Sequence, residues 1–124
     1  MRSYFSMLPV MGMMALGFSG CSKSDKAVAT NDVAHTETAQ RLEYGQELVA
    51  DNCAACHAVG REGDSPRADA PPLRIVLSRY NSEALLIDFV EHIHVGPSDM
   101  PDFDFGPKGS DAVVAYLQSI QVSE

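Results

Sequence analysis

Residues 53 to 57 read Cys53-Ala54-Ala55-Cys56-His57. Two thiols three residues apart project from one edge of a helix, and the imidazole of His57 follows at once. That spacing can meet two vinyl groups on a porphyrin while the imidazole reaches the metal at its centre, and Cys-x-x-Cys-His is read as covalent c-type haem attachment. A structural zinc site would instead need a fourth ligand, usually from a second Cys or His pair. His92 and His94 are the candidates, but residues i and i+2 on a helix do not share a face. A thiol–disulfide reading of Cys-x-x-Cys wants a βαβ pattern nearby, and no run in this chain alternates with a period of two.

Upstream of the motif, Leu42, Gly45, Val49 and Cys53 recur at helical spacing, which predicts a helix over 37–53 with Glu37 near its positive end. Downstream, Pro71-Pro72 opens a short apolar stretch, Leu73 to Tyr80, of one or two turns. Asn81 or Ser82 can cap a further helix with Leu85, Leu86, Phe89, Val90 and Ile93 on its apolar face, stopped by Gly96-Pro97. Ser98 to Gly109 reads as loop. Ser110 then caps a last helix that buries Val113, Tyr116, Leu117 and Ile120. The expected fold class is all-α, with long loops. Gly60 to Ala70 and Ser98 to Gly109 have little means of burying apolar surface by themselves, so a bound group should organise them.

Composition narrows the partners. The chain has 124 residues, 9 Lys and Arg against 17 Asp and Glu, and a formal charge of -8. An isoelectric point near 4.8 excludes phosphate-neutralising nucleic-acid binding. The first 20 residues carry Arg2, then a broken apolar stretch from Phe5 to Phe18, too short to span a bilayer and fitting a secretory signal. Phe18-Ser19-Gly20-Cys21 is similar to the lipobox of bacterial lipoproteins, with Phe18 in place of the usual Leu. The resemblance implies lipidation at Cys21, export to the periplasm and a membrane anchor, with residues 21–36 as a lipidated N-terminus and flexible tether and 37–124 as the domain. Loss of Arg2 on processing makes the chain one charge more acidic. Of six methionines, only Met100 lies beyond Cys21.

A haem iron held by His57 needs a second axial ligand, Met or His. Met100, between Asp99 and Pro101, sits in the loop after the third helix and is the first candidate; His92 and His94 compete, and His35 belongs to the tether. Taken together these residues resemble class I c-type cytochromes along nearly the whole domain. Gly45, Val49 and Cys53 are similar to that family's N-terminal helix, and Ala112-Val113-Val114-Ala115-Tyr116-Leu117 to its C-terminal partner, with Tyr116 on Gly45. Ala70-Pro71-Pro72-Leu73 is similar to the Gly-Pro-x-Leu segment, and Met100-Pro101-Asp102-Phe103 to the axial Met-Pro-x-Phe loop. Ala70 for Gly, Val49 for an aromatic residue and the absence of Trp are the departures.

The resemblance implies a small cytochrome c-like fold whose terminal helices cross and whose loops wrap one covalent haem c. It implies that Cys53 and Cys56 carry the haem, that His57 and Met100 are the axial ligands of its iron, and that the Pro71 carbonyl orients His57. Leu73, Ile75, Phe103 and Phe105 are the expected walls, and Arg74, Arg79 and Tyr80 candidates for the propionates. A filled coordination sphere implies single-electron transfer rather than catalysis, between redox partner proteins that could carry a basic docking patch. A haem enzyme or sensor with a labile Met100, and a zinc-binding interaction module, are the other readings.

Overall fold

A computed structural model describes residues 25–123, with side chains from residue 31. Cys21 and the signal segment lie outside the described residues. Those described form α1 (Asp25–Cys53), a 3₁₀ helix (Leu73–Ser78), α2 (Ser82–Val90) and α3 (Gly106–Ile120), with no strand among them. None of the helices is long and apolar enough to cross a membrane.

The core is built on the crossing of α1 and α3. At the crossing a Cβ on Gly45 would lie 2.0 Å from the carbonyl oxygen of Ala112 and 2.9 Å from Tyr116 Cβ. No side chain fits between those backbones, so glycine sets how closely the helices approach. Val49, one turn on, is fully buried, and Val113, Tyr116, Leu117 and Ile120 face it from α3. Arg41 adds a forked ion pair to Asp111 at the exposed rim, 2.5 and 2.6 Å.

Three element boundaries differ from the sequence expectation. Helix α1 begins at Asp25 rather than Glu37, so most of the expected tether is helical. No Gly or Pro interrupts residues 25–44, and adding turns to an existing helix is far less costly than starting one. Helix α2 is capped by Asn81, whose side chain accepts from Glu83 N and Ala84 N, but it ends at Val90, well before Gly96. His92 takes the left-handed conformation (φ 54°) and Ile93 N reaches back to Asp88 O at 2.8 Å, a Schellman ending with histidine in the glycine position. Ile93 is therefore off the apolar face and half exposed. Helix α3 begins four residues before Ser110, with Pro107 in its first turn. Ser110 is fully buried inside the helix and is not its cap.

The end of α3 fastens the 3₁₀ helix. Gln121 Nε2 donates to Leu73 O at 2.9 Å, Leu77 N donates to Gln121 Oε1 at 3.1 Å, and Val122 N donates to Arg74 O at 3.0 Å. This arrangement leaves a cleft between the end of α1, the 3₁₀ helix, α2 and the segment before α3.

Candidate functional site

The cleft comprises two adjoining cavities of about 700 and 690 Å³, open solvent at their entrances included, sharing Cys53, His57, Pro71, Pro97, Met100 and Phe103 as walls. The first is almost wholly apolar, lined by Val49, Leu73, Val76, Leu85 and Phe89 among others. Of the expected walls, Leu73, Phe103 and Phe105 line it and Ile75 does not. A 3₁₀ helix repeats every three residues, so Val76 rather than Ile75 shares the inner face with Leu73. Phe103 stacks on Phe105 at 5.3 Å between centroids, and Phe105 meets Phe89 edge-on at 5.4 Å.

On the α1 side the chain turns sharply, with Cys56 N and His57 N both donating to Cys53 O at 3.1 and 2.9 Å. Both thiols are free and partly buried. Burial, and secondarily the neighbouring Cys56, pushes the Cys53 thiol up to about 11. The next stretch is fixed by Leu73 N to Ala58 O at 2.9 Å and Ala58 N to Ser65 Oγ at 3.0 Å. Tyr116 donates its hydroxyl to Val59 O at 2.9 Å, and partial burial raises the phenol above its ordinary range. His57 Nδ1 lies 2.7 Å from Pro71 O, and since the carbonyl can only accept, Nδ1 carries the proton and Nε2 is the lone-pair nitrogen.

On the other side Met100 N donates to Pro97 O at 2.9 Å. Gly96 has φ 82°, a backbone angle that demands glycine, and a Cβ there would stand 2.9 Å from Met100 Sδ, so any other residue would also shift the thioether. His94 bridges this segment, Nδ1 to Asp102 Oδ1 at 2.7 Å and Nε2 to Pro97 O at 2.9 Å. Arg67 pairs with Asp69 and Asp99, and its hydrogen bonds hold both carboxyls below the usual carboxylate range.

His92 and His94 line neither cavity. His92 Nε2 lies 3.9 Å from Asp104 Oδ1, and both nitrogens of His94 are engaged by oxygen acceptors. Among the described residues no cluster of three or more His, Cys, Asp or Glu is placed to hold a metal ion. Arg74 is bound to Gly63 O, whereas Tyr80 lines the first, apolar cavity. Sequence reasoning missed Gly96 as the seat of Met100, Gln121 as the fastening of the 3₁₀ helix, and the ion pairs of Arg67.

The residues present fit a flat apolar macrocycle. Two thiols lie on one edge of the cleft, an imidazole with its Nδ1 already occupied faces it, and a thioether shares its walls. A family model described as cytochrome c oxidase, cbb3-type, subunit III matches residues 40–117, well over half of the chain. The chain belongs to this family. The cbb3-type cytochrome c domain binds haem c covalently, and its chemistry is haem-based electron transfer. The matched span runs from α1 through nearly all of α3 and includes the whole cleft. The fold is accordingly the small all-α cytochrome c-like one. No curated protein and no solved structure matches the chain.

Proposed function

We propose that this chain is an exported, lipid-tethered monohaem cytochrome of the class I type that passes single electrons between partner proteins in the periplasm. Cys53 and Cys56 would carry the haem, and His57 and Met100 would be its axial ligands. The observation that carries the reading is that His57 and Met100 are walls of the same two cavities, the imidazole with its Nδ1 already bonded to Pro71 O. That bond fixes the ring orientation and tautomer, leaves Nε2 for the metal and raises the basicity of the ligand. When bound, the haem supplies a one-electron couple, and Met/His ligation raises its potential.

The chain's own residues set the conditions of transfer. Val49, Leu73, Leu85 and Phe89 give the cleft an apolar lining. Gly96 leaves room for the Met100 thioether. Two filled axial positions leave no place for oxygen or peroxide, which favours electron transfer over catalysis. The family description, naming a subunit of an oxidase, supports a protein partner as the electron acceptor or donor. The formal charge of -8 suits a partner with a basic docking patch met through a small, transient interface. Export and anchoring rest on the signal segment and Cys21.

The deciding experiment compares haem-loaded protein with its Met100→Ala variant. The variant should lose the weak near-infrared sulfur-to-iron band, drop in midpoint potential and bind carbon monoxide when reduced. Absence of the band from the unaltered protein, or an unchanged potential in the variant, would overturn Met100 ligation. Binding of carbon monoxide by the unaltered reduced protein at neutral pH would favour the enzyme or sensor reading. For the anchor, Cys21→Ser should move the protein from the membrane to the soluble periplasmic fraction, and continued membrane association would defeat it.

A further inference from the structure

The second cavity, the one lined by Cys56, opens at a mouth spanned by one side chain, that of Arg67. Its backbone is tied to the thiol turn, Arg67 N donating to Cys56 O at 3.1 Å. Its guanidinium forks onto Asp69, Nε to Oδ1 at 3.0 Å and Nη2 to Oδ2 at 2.5 Å. The same Nη2 reaches across to Asp99 Oδ2 at 2.7 Å. Asp99 immediately precedes Met100, and Arg67, Asp69, Asp99 and Met100 all line this cavity. Among the described residues this is the only hydrogen bond joining the segment 56–80 to the segment 97–105.

The geometry divides the labour between the two carboxylates. Asp69 lies on the same loop as Arg67 and orients the planar guanidinium, which presents its donors in a fixed fork. Asp99 receives the remaining reach of that fork from the opposite side of the mouth. One cation also separates two anions that would otherwise face each other across the opening.

We propose that Arg67 is a positioning residue for Met100, a clasp that holds the Met100 segment against the cleft from the outside by way of Asp99. The inference rests on the reading of Met100 as an axial ligand. Loss of the clasp raises the fraction of time the segment stands away from the cleft. Lysine, a point charge without the fork, restores the function only in part.

The test uses haem-loaded protein well below its melting temperature, at low salt. Two readouts are taken: the rate of carbon monoxide binding to the reduced form, and amide hydrogen exchange of residues 97–104. Arg67→Ala should raise both about two- to five-fold, the scale expected for an exposed ion-pair network. Asp99→Asn should reproduce most of the rise, Asp69→Asn less of it, and Arg67→Lys should lie between. Added salt should raise both readouts in the unaltered protein and leave Arg67→Ala nearly unchanged. Arg41→Ala removes an equally exposed fork on the far side of the molecule and serves as the control for a merely structural loss; it should lower the melting temperature slightly and move neither readout.

A rise in Arg67→Ala that Asp99→Asn does not share would overturn the clasp, since the effect would then belong to the Asp69 loop alone. Unchanged readouts in both variants would overturn it equally. If Arg67→Ala fails to load haem, Asp99→Asn and its salt dependence decide the matter. Failure of the ligation reading is distinguishable: the unaltered protein would then lack the sulfur-to-iron band and Met100→Ala would keep its potential, while hydrogen exchange still reports whether Arg67 holds the segment.

Discussion

The two flanks of the cleft are held by different kinds of bond. On the His57 side the main chain does most of the holding: Cys53 O accepts from two amides, Ala58 O from Leu73 N, Pro71 O from the imidazole and Val59 O from a part-buried phenol. These partners are sheltered and insensitive to salt. On the Met100 side only one backbone pair, Met100 N to Pro97 O, lies within residues 97–105, and the remaining polar links run through side chains at the surface: His94 to Asp102 and Pro97, Arg67 to Asp99, and Asp104 to His92 and the Gly106 amide. A ligand flank built from buried main-chain bonds stays put under most conditions. A flank built from exposed charges opens with salt and pH. The comparison therefore locates the soft side of this site at Met100, and it can be broken from either side.

The heaviest blow falls on the frame beneath the His57 flank. Gly45→Val places side-chain carbon where the Ala112 carbonyl stands, and neither backbone can yield without parting the helices. The expected cost is roughly 3 kcal/mol or more, at the upper end of overpacking effects and a large share of a small domain's stability. Haem-loaded yield should collapse, and a melting temperature equal to that of the unaltered protein would show that the crossing does not carry the fold. Tyr116→Phe is gentler. It strips the hydroxyl from Val59 O and leaves that carbonyl short of a partner, which should cost about 1 kcal/mol. For a domain of this size that lowers the melting temperature by about 4–8 °C. Carbon monoxide binding should stay unchanged, because the loss falls on the His57 side; a faster rate would mean that the two flanks are mechanically coupled.

Legibility in the sequence followed the same division. The thiols and His57 are local and the apolar helix faces show in the spacing, so the all-helical class could be read from the residues, while the crossing at Gly45 and Tyr116 and the Pro71 carbonyl on His57 were implied by the family resemblance. Ser110 misled because a serine ahead of an apolar run resembles a cap, whereas Pro107 had already started the helix and the serine is buried in it. The end of α2 was obscured by a histidine doing what glycine usually does. Ile75 was expected as a wall, but residues two apart on a helix do not share a face, and Val76 takes the place beside Leu73. Arg67 and Asp99 stand 32 residues apart, and no periodicity connects two loop residues. What joins them is the fold, so the soft flank was visible only in three dimensions.

The smallest expected effect concerns His94 and gives the comparison its pH axis. Its two ring nitrogens face a carboxylate oxygen and a carbonyl oxygen, both acceptors, so only the imidazolium makes both bonds. The hydrogen bond to Asp102, then that to Pro97 O, raises the His94 pKa above its ordinary 6.5. A group whose folded pKa is raised contributes its stabilisation in full below the unfolded value, and loses it as pH climbs through the folded one. Starting below about 6.5 and moving upward, hydrogen exchange of residues 97–104 should therefore accelerate beyond its intrinsic rise with pH, while exchange around Ala58 and Leu73 follows the intrinsic rise alone. The ring is exposed and its Asp102 partner more so, which keeps the acceleration modest. His94→Ala should remove the extra pH dependence and leave the Met100 segment at its high-pH exchange level throughout. An identical pH profile in both proteins would mean that His94 does not hold the segment, and that Arg67 and the packing of Phe103 and Phe105 carry the Met100 flank without it.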